Sequence, residues 1–182
     1  MNVAIEDFLY WDSWFSAYKL KPGGRYYTFK AALNLFLQNN GNLIVETGCV
    51  REPEDWGAGY STYIFGQVAQ RYNKQVITID NVPEHLDMCK NITKDFKDHI
   101  QYVFSDSIQF LSTFTRPIDL LYLDSMDCPL DETANALPAQ KHALKELLAW
   151  KVLPTFQILP TAPEEDRVNI TILKLLVKEA KP

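Results

Sequence analysis

Cysteine is scarce in this sequence: Cys49, Cys89 and Cys128 are the whole complement, about 40 residues apart. No C-x-x-C pair occurs among them, which argues against a structural zinc site and against a disulfide-stapled scaffold. An odd count of widely spaced thiols fits a reducing compartment, and the chain reads as cytoplasmic. Long apolar runs are missing as well, since none approaches the roughly 18 residues that a membrane span needs. Met1 to Phe15 mixes acids with aromatics and has no basic start, so it does not read as a secretory signal. Positive charge is in deficit: 18 basic residues face 23 acidic ones, for a net charge of −5 and a pI near 5.2. Such a surface repels phosphate backbones, and no nucleic-acid partner is expected. Internal repeats and low-complexity tracts are absent.

What is present is the composition of a soluble globular domain. The 182 residues are 47% apolar and 23% charged, which suits a single domain spanning 1–182. Two amphipathic patterns come first, Ile5 to Tyr18 and Thr28 to Leu37, separated by the turn-rich Lys19 to Arg25. They make residues 1–40 a helical cap. The chain then alternates. Strands are predicted at Leu43–Val45, Val76–Asp80, Ile100–Phe104 and Ile118–Asp124, with helices at Pro83–Phe96, Ser107–Phe114 and Ala134–Trp150. Strands separated by helices imply crossover connections, hence an α/β fold: a Rossmann-like, doubly wound, mostly parallel sheet with helices on both faces. Residues 41–160 form its core, with Thr155 to Leu159 as a short fifth strand. An acid-rich turn at Pro163 to Asp166 predicts a C-terminal helix within 161–182, running from about Arg167 to Lys178.

In such a sheet a ligand lies beyond the carboxyl ends of the strands, where strand order reverses. Glu46, Asp80, Asp106 and Asp124 all fall at those ends. One such acid is commonly a helix cap, but four on one rim call for a cation or a hydroxyl-rich ligand to relieve their repulsion. After the first strand come Gly48 and then Gly57-Ala58-Gly59 before a further helix, and Asp80 follows Gly59 at about the distance where an acid meets a ribose diol. A dinucleotide would set its pyrophosphate against this turn, yet Glu46, Glu52, Glu54 and Asp55 crowd it with negative charge. A carboxylate a few ångströms from a phosphate costs about 1–4 kcal/mol per pair. S-adenosylmethionine has an ammonium and a sulfonium and no phosphate, so the charge pattern favours it over NAD.

These residues resemble a class I S-adenosylmethionine-dependent methyltransferase. Leu43-Ile44-Val45-Glu46-Thr47-Gly48 is similar to that family's first motif. V-E-T-G-C, a later G-x-S-T, then T-I-D, S-D-S and L-L-Y-L-D-S resemble its small-molecule O-methyltransferase branch, which includes macrocin-type and cephalosporin-hydroxylase-like enzymes. The likeness runs from about Leu43 to Trp150. It implies that Glu46 and Gly48 face the methionine part of the cofactor, with Gly57, Gly59, Ser61 and Thr62 lining the turn beside it. It further implies that Asp80 binds the ribose, that Asp106 and Ser107 meet the adenine edge, and that Asp124 stands at the methyl-transfer pocket. In metal-dependent relatives an acid in that last position binds Mg2+. Here the fifth strand lacks the expected closing acid pair, so half of that metal site is missing, and Pro160 to Pro182 lacks the family's final antiparallel strand pair. The C-terminal part therefore reads as shortened.

His142 is a candidate general base for a substrate hydroxyl, weighed against a packing role. His85 and His99 receive no role. Cys49, in an acidic loop, reads as a small buried residue rather than a nucleophile. The activity expected is methyl transfer to an oxygen of a small-molecule acceptor. Two alternatives stay open: a catalytically degenerate Rossmann-like module that binds cofactor or assembles, for instance as a homodimer through an edge strand, and an NAD-dependent oxidoreductase.

Overall fold

A computed structural model describes residue 13 and residues 25–56, 60–126, 136–150, 156–158 and 173–176. The first expected helix, Ile5 to Tyr18, lies outside the described residues apart from Ser13. The second is α1, Arg25–Gln38. It stops at Asn40, which takes the left-handed conformation (φ 53°), while the Gly41 amide donates back to the Phe36 carbonyl at 2.8 Å. The alternating part follows as β1 (Leu43–Thr47), α2 (Ser61–Tyr72), β2 (Gln75–Asp80), α3 (Pro83–Ile92), a 3-10 turn (Lys94–His99), β3 (Ile100–Phe104), α4 (Ser107–Thr113), β4 (Leu120–Leu123) and α5 (Ala136–Ala149). Short strands β5 (Phe156–Ile158) and β6 (Leu173–Leu176) complete it.

The strands form one sheet in the order β3-β2-β1-β4-β6-β5. β1 to β4 are parallel, as the crossovers require. The chain moves outward from β1 to β3, then returns to place β4 on the other side of β1. The switch point therefore lies between β1 and β4. β1 is buried at all five positions and divides its side chains between two cores. Ile44 joins Phe29, Leu33 and Phe36 of α1, Phe65 of α2, and Tyr122 of β4. Phe29 stacks on Tyr122 at 5.6 Å between centroids, and Phe65 meets Tyr122 edge-on at 5.3 Å. On the other face Leu43 and Val45 join Ile77, Ile79, Leu121, Leu123 and Trp150. Each buried Phe or Leu contributes about 1.5–3 kcal/mol from area removed from water.

The C-terminal part corrects two expectations. Leu173–Leu176, placed in a helix by the sequence reading, is strand β6, antiparallel to β4 (Leu120↔Leu175, Tyr122↔Leu173) and to β5 (Phe156↔Leu176). An antiparallel strand pair is thus present beside β4, where the sequence reading found none. The reason is local and tertiary together. Ile170-Thr171-Ile172 before the strand are β-branched and favour extended backbone. The buried β4 also needs a partner for its outer row of amides and carbonyls. The expected fifth strand exists at Phe156–Ile158, but it borders β6 rather than β4.

Candidate functional site

The carboxyl rim is set by Gly48. Its φ is +81°, and a Cβ there would lie 2.3 Å from the Asp124 carbonyl oxygen, so only glycine fits without a shift of backbone. The Gly48 amide donates to the Ile79 carbonyl at 2.8 Å, and the Asp124 amide donates to the Thr47 carbonyl at 2.9 Å. These bonds hold the ends of β2, β1 and β4 together across the switch point.

Glu46 shares the inward face of β1 with Ile44. It is fully buried, and its Oε2 accepts from Thr62 Oγ1 at 2.6 Å and Thr78 Oγ1 at 3.0 Å. Thr62 Oγ1 in turn accepts from the Val50 amide at 3.0 Å, which ties the loop after β1 to the start of α2. Burial lifts the Glu46 carboxyl to about 7; Ser61, Thr62 and Thr78 pull it down by hydrogen bonding, and the Asp124 charge pushes it up. Its Oε1 has no hydrogen-bond partner among the described residues.

Asp80 closes β2. Its Oδ1 accepts from the Val82 amide at 2.9 Å and faces His85 Nδ1 at 3.3 Å, while Cys49 Sγ donates to Oδ2 at 3.5 Å. Asp106 caps α4, accepting from the Gln109 amide at 2.9 Å, and uses one of its two oxygens to do so. Ser107 Oγ lies 3.3 Å from His142 Nε2. His142 Nε2 is also 3.4 Å from Oε1 of Glu146, a buried carboxylate one helical turn later in α5. Ser125 Oγ donates to that same oxygen at 2.7 Å.

Two adjoining hollows open along this rim. The first is lined by Gly48, Arg51, Ser61, Asp80, His85 and Asp124 among others. The second is lined by Asp80, Asn81, Asp106, Ser107, Ser125 and His142 among others. Gly48, Asp80, Asn81 and Ser125 border both. The second is the roomier, about 220 Å³ against about 80 Å³, which suits the bulkier end of a two-part ligand.

The structure therefore brings together most of the sequence-predicted residues, though not all in the expected way. Gly48, Ser61, Asp80, Asp106, Ser107, Asp124 and His142 border the hollows. Glu46 and Thr62 border neither; they stand one layer behind, bonded to each other. The two catalytic candidates are divided, with Asp124 on the first hollow and His142 on the second. Gly57 and Gly59 lie outside the described residues. Sequence reasoning missed His85, Asn81, Ser125 and Glu146. The available signals were the His85 position in the first turn after Asp80 and the His-x-x-x-Glu spacing of 142 and 146 on one helix face.

The residues suit a cationic nucleoside. An orphaned, fully buried Glu46 oxygen lies behind a rim carrying Asp80 and Asp124, and Asp106 keeps one oxygen uncommitted to its cap. Among the described residues no group of three or more His, Cys, Asp or Glu could hold a metal ion. No helix among the described residues is long and apolar enough to cross a membrane. No curated protein matches the sequence. A family model described as a methyltransferase domain matches residues 56–150, just over half of the chain and the part that runs from the loop before α2 to the end of α5. With the parallel sheet and its acidic rim at the β1–β4 switch, this match makes the chain a member of that methyltransferase-domain family.

Proposed function

We propose that the protein transfers a methyl group from S-adenosylmethionine to an oxygen of a small-molecule acceptor. The observation that carries this reading is Asp80 at the junction of two hollows, on a rim whose other acids oppose a phosphate. Asp80 would accept hydrogen bonds from the ribose hydroxyls mainly through Oδ2, whose one partner among the described residues is the long Cys49 thiol contact at 3.5 Å, since Oδ1 already serves the Val82 amide and His85. The methionine part would occupy the first hollow, beside Gly48 and Ser61, with the Glu46 carboxylate reached through Ser61 or a water. The adenine would occupy the second, against Asp106 and Ser107.

The cofactor supplies an electrophilic methyl group when bound, so the work of the chain is to bind, align and exclude water. Gly48 lets the backbone come close. Asp124, at the mouth of the first hollow, would orient an acceptor hydroxyl and receive its hydrogen bond. No step is assigned to a metal ion. The β4 edge is covered by β6, so a silent assembly module would have to pair through β3 or β5 instead.

Calorimetric titration with S-adenosylmethionine and S-adenosylhomocysteine tests the reading. Micromolar affinity is expected for both, with Asp80→Ala weakening it at least about tenfold, the effect of losing hydrogen bonds to a charged acceptor. Absent or millimolar affinity, or indifference to Asp80→Ala, would defeat it.

A further inference from the structure

Cys49 and Cys89 meet beside Asp80. Cys49 follows Gly48 in the loop after β1 and borders the first hollow, while Cys89 is a buried residue of α3. Their side chains hydrogen-bond to each other within a small cluster that holds Val50, Tyr60 and Ile92. Both are free thiols. Two thiols already in contact need little backbone movement to become a disulfide.

Access sets the order of events. Cys49, read from sequence as a small buried residue, is partly exposed on the hollow, whereas Cys89 has no exposed surface. An oxidant entering the hollow meets Cys49 first and leaves Cys89 as the resolving thiol. With hydrogen peroxide the O–O bond breaks, Cys49 becomes a sulfenic acid, and its thiol proton leaves in a first water. The Cys89 sulfur then attacks the Cys49 sulfur, the S–O bond breaks, and the Cys89 proton leaves in a second water. The two sulfurs together give up the two electrons that the peroxide accepts. The hydrogen bond with Cys89, burial, and the charges of Cys89, Asp80 and Glu46 push the Cys49 thiol up, so thiolate is scarce and the first step is slow.

The α3 end of such a link is anchored. Thr93 bonds the Cys89 carbonyl through its amide at 2.9 Å and its hydroxyl at 2.6 Å, and that hydroxyl meets the Tyr102 hydroxyl of β3 at 2.7 Å. Cys49 is therefore the side that moves. Its Sγ donates to Asp80 Oδ2 at 3.5 Å and has no proton to give once oxidised. The Val50 amide, bonded to Thr62, carries the shift on to the bonds around Glu46.

We propose that peroxide joins Cys49 and Cys89 in a reversible disulfide that ties the loop after β1 to α3 and reshapes the first hollow. The cross-link goes beyond the methyl-donor reading; only its effect on cofactor affinity rests on that reading.

The test treats the full chain with hydrogen peroxide and maps its cysteine peptides by mass spectrometry before and after dithiothreitol. A Cys49–Cys89 peptide pair is expected in the wild-type protein and in Cys128→Ser, and not in Cys89→Ala. Oxidation should raise the melting temperature by about 5 °C or more, because the closed loop restricts the unfolded chain. It should also lower the affinity for S-adenosylhomocysteine at least about tenfold in calorimetric titration. Dithiothreitol should reverse both changes, and Cys89→Ala should show no reversible rise in melting temperature. Two unreacted thiols, Cys49 paired with Cys128, or Cys49 carried to sulfinic acid beside an intact Cys89 overturns the proposal. So does a mapped pair that leaves the affinity of a binding-competent protein unchanged. If the reduced protein binds no S-adenosylhomocysteine, the methyl-donor reading fails by itself, and the mapped pair and the melting shift decide the cross-link.

Discussion

Glu46 shows what burying a single carboxyl behind the rim costs the fold. It accepts two threonine hydroxyls and leaves one oxygen orphaned, and burial raises its carboxyl from the ordinary 4.5 to about 7. A carboxyl raised on folding holds its proton more tightly in the folded state. Between about pH 4.5 and 7 the unfolded chain has released a proton that the folded protein keeps, so stability falls as pH rises through this window. Each pH unit of difference is worth about 1.4 kcal/mol, and the whole window amounts to about 3 kcal/mol. Glu46→Gln abolishes this titration. Urea unfolding should show the stability of the variant relative to wild type rising by about 3 kcal/mol from pH 4.5 to 7 and then levelling. A difference that stays flat would mean that the carboxyl is not buried as described. The Glu46 position was open to sequence reading in part: alternation puts it on the same face as Ile44, and so inward. Its burial depth was not, because that depends on how α2 lies across β1.

At the scale of elements, α4 separates two roles that the sequence could not. An acid ahead of a helix is equally a cap and a ligand, and Asp106 is bonded as a cap while bordering the second hollow. Replacement by alanine removes both roles. Replacement by serine keeps a capping oxygen and loses the second carboxylate oxygen. Asp106→Ala should lose about 1 kcal/mol of stability in urea melts, and Asp106→Ser nearly none. If the residue also meets the cofactor, both variants should bind S-adenosylhomocysteine more weakly by a similar factor. Equal affinity in Asp106→Ser and wild type would leave the residue a cap alone. The same ambiguity hid Glu146. A charge in a helix reads as a solvated face, and only the packing of α5 against Leu43, Val45 and Trp150 turns that position inward. β1, β2 and β4 were legible because strands buried on both faces are largely apolar runs, and the half-buried edge strand β3 because its residues are mostly β-branched and aromatic. The lone acidic turn at Pro163 to Asp166 suggested a helix because nothing in the local pattern shows that β4 needs a further partner.

For the molecule as a whole, that partner decides what the switch point can be. β4 carries Asp124 at its end and Tyr122 in the aromatic core, and it lies between β1 and β6. If β6 were absent, β4 would present a bare edge next to the site, and pairing with a second chain would compete with the native sheet. Leu175 sits opposite Leu120 in this ladder. Proline at position 175 removes one amide from β6 and cannot continue a ladder between β4 and β5. Leu175→Pro should therefore lower the melting temperature and, in sedimentation, bring more self-association than the wild-type chain shows at the same concentration. Affinity for S-adenosylhomocysteine should fall as well, since Asp124 and Ser125 follow directly from β4 and border the hollows. A monomeric variant with unchanged melting and unchanged affinity would mean that the four parallel strands hold the rim by themselves and that the C-terminal pair contributes nothing to it.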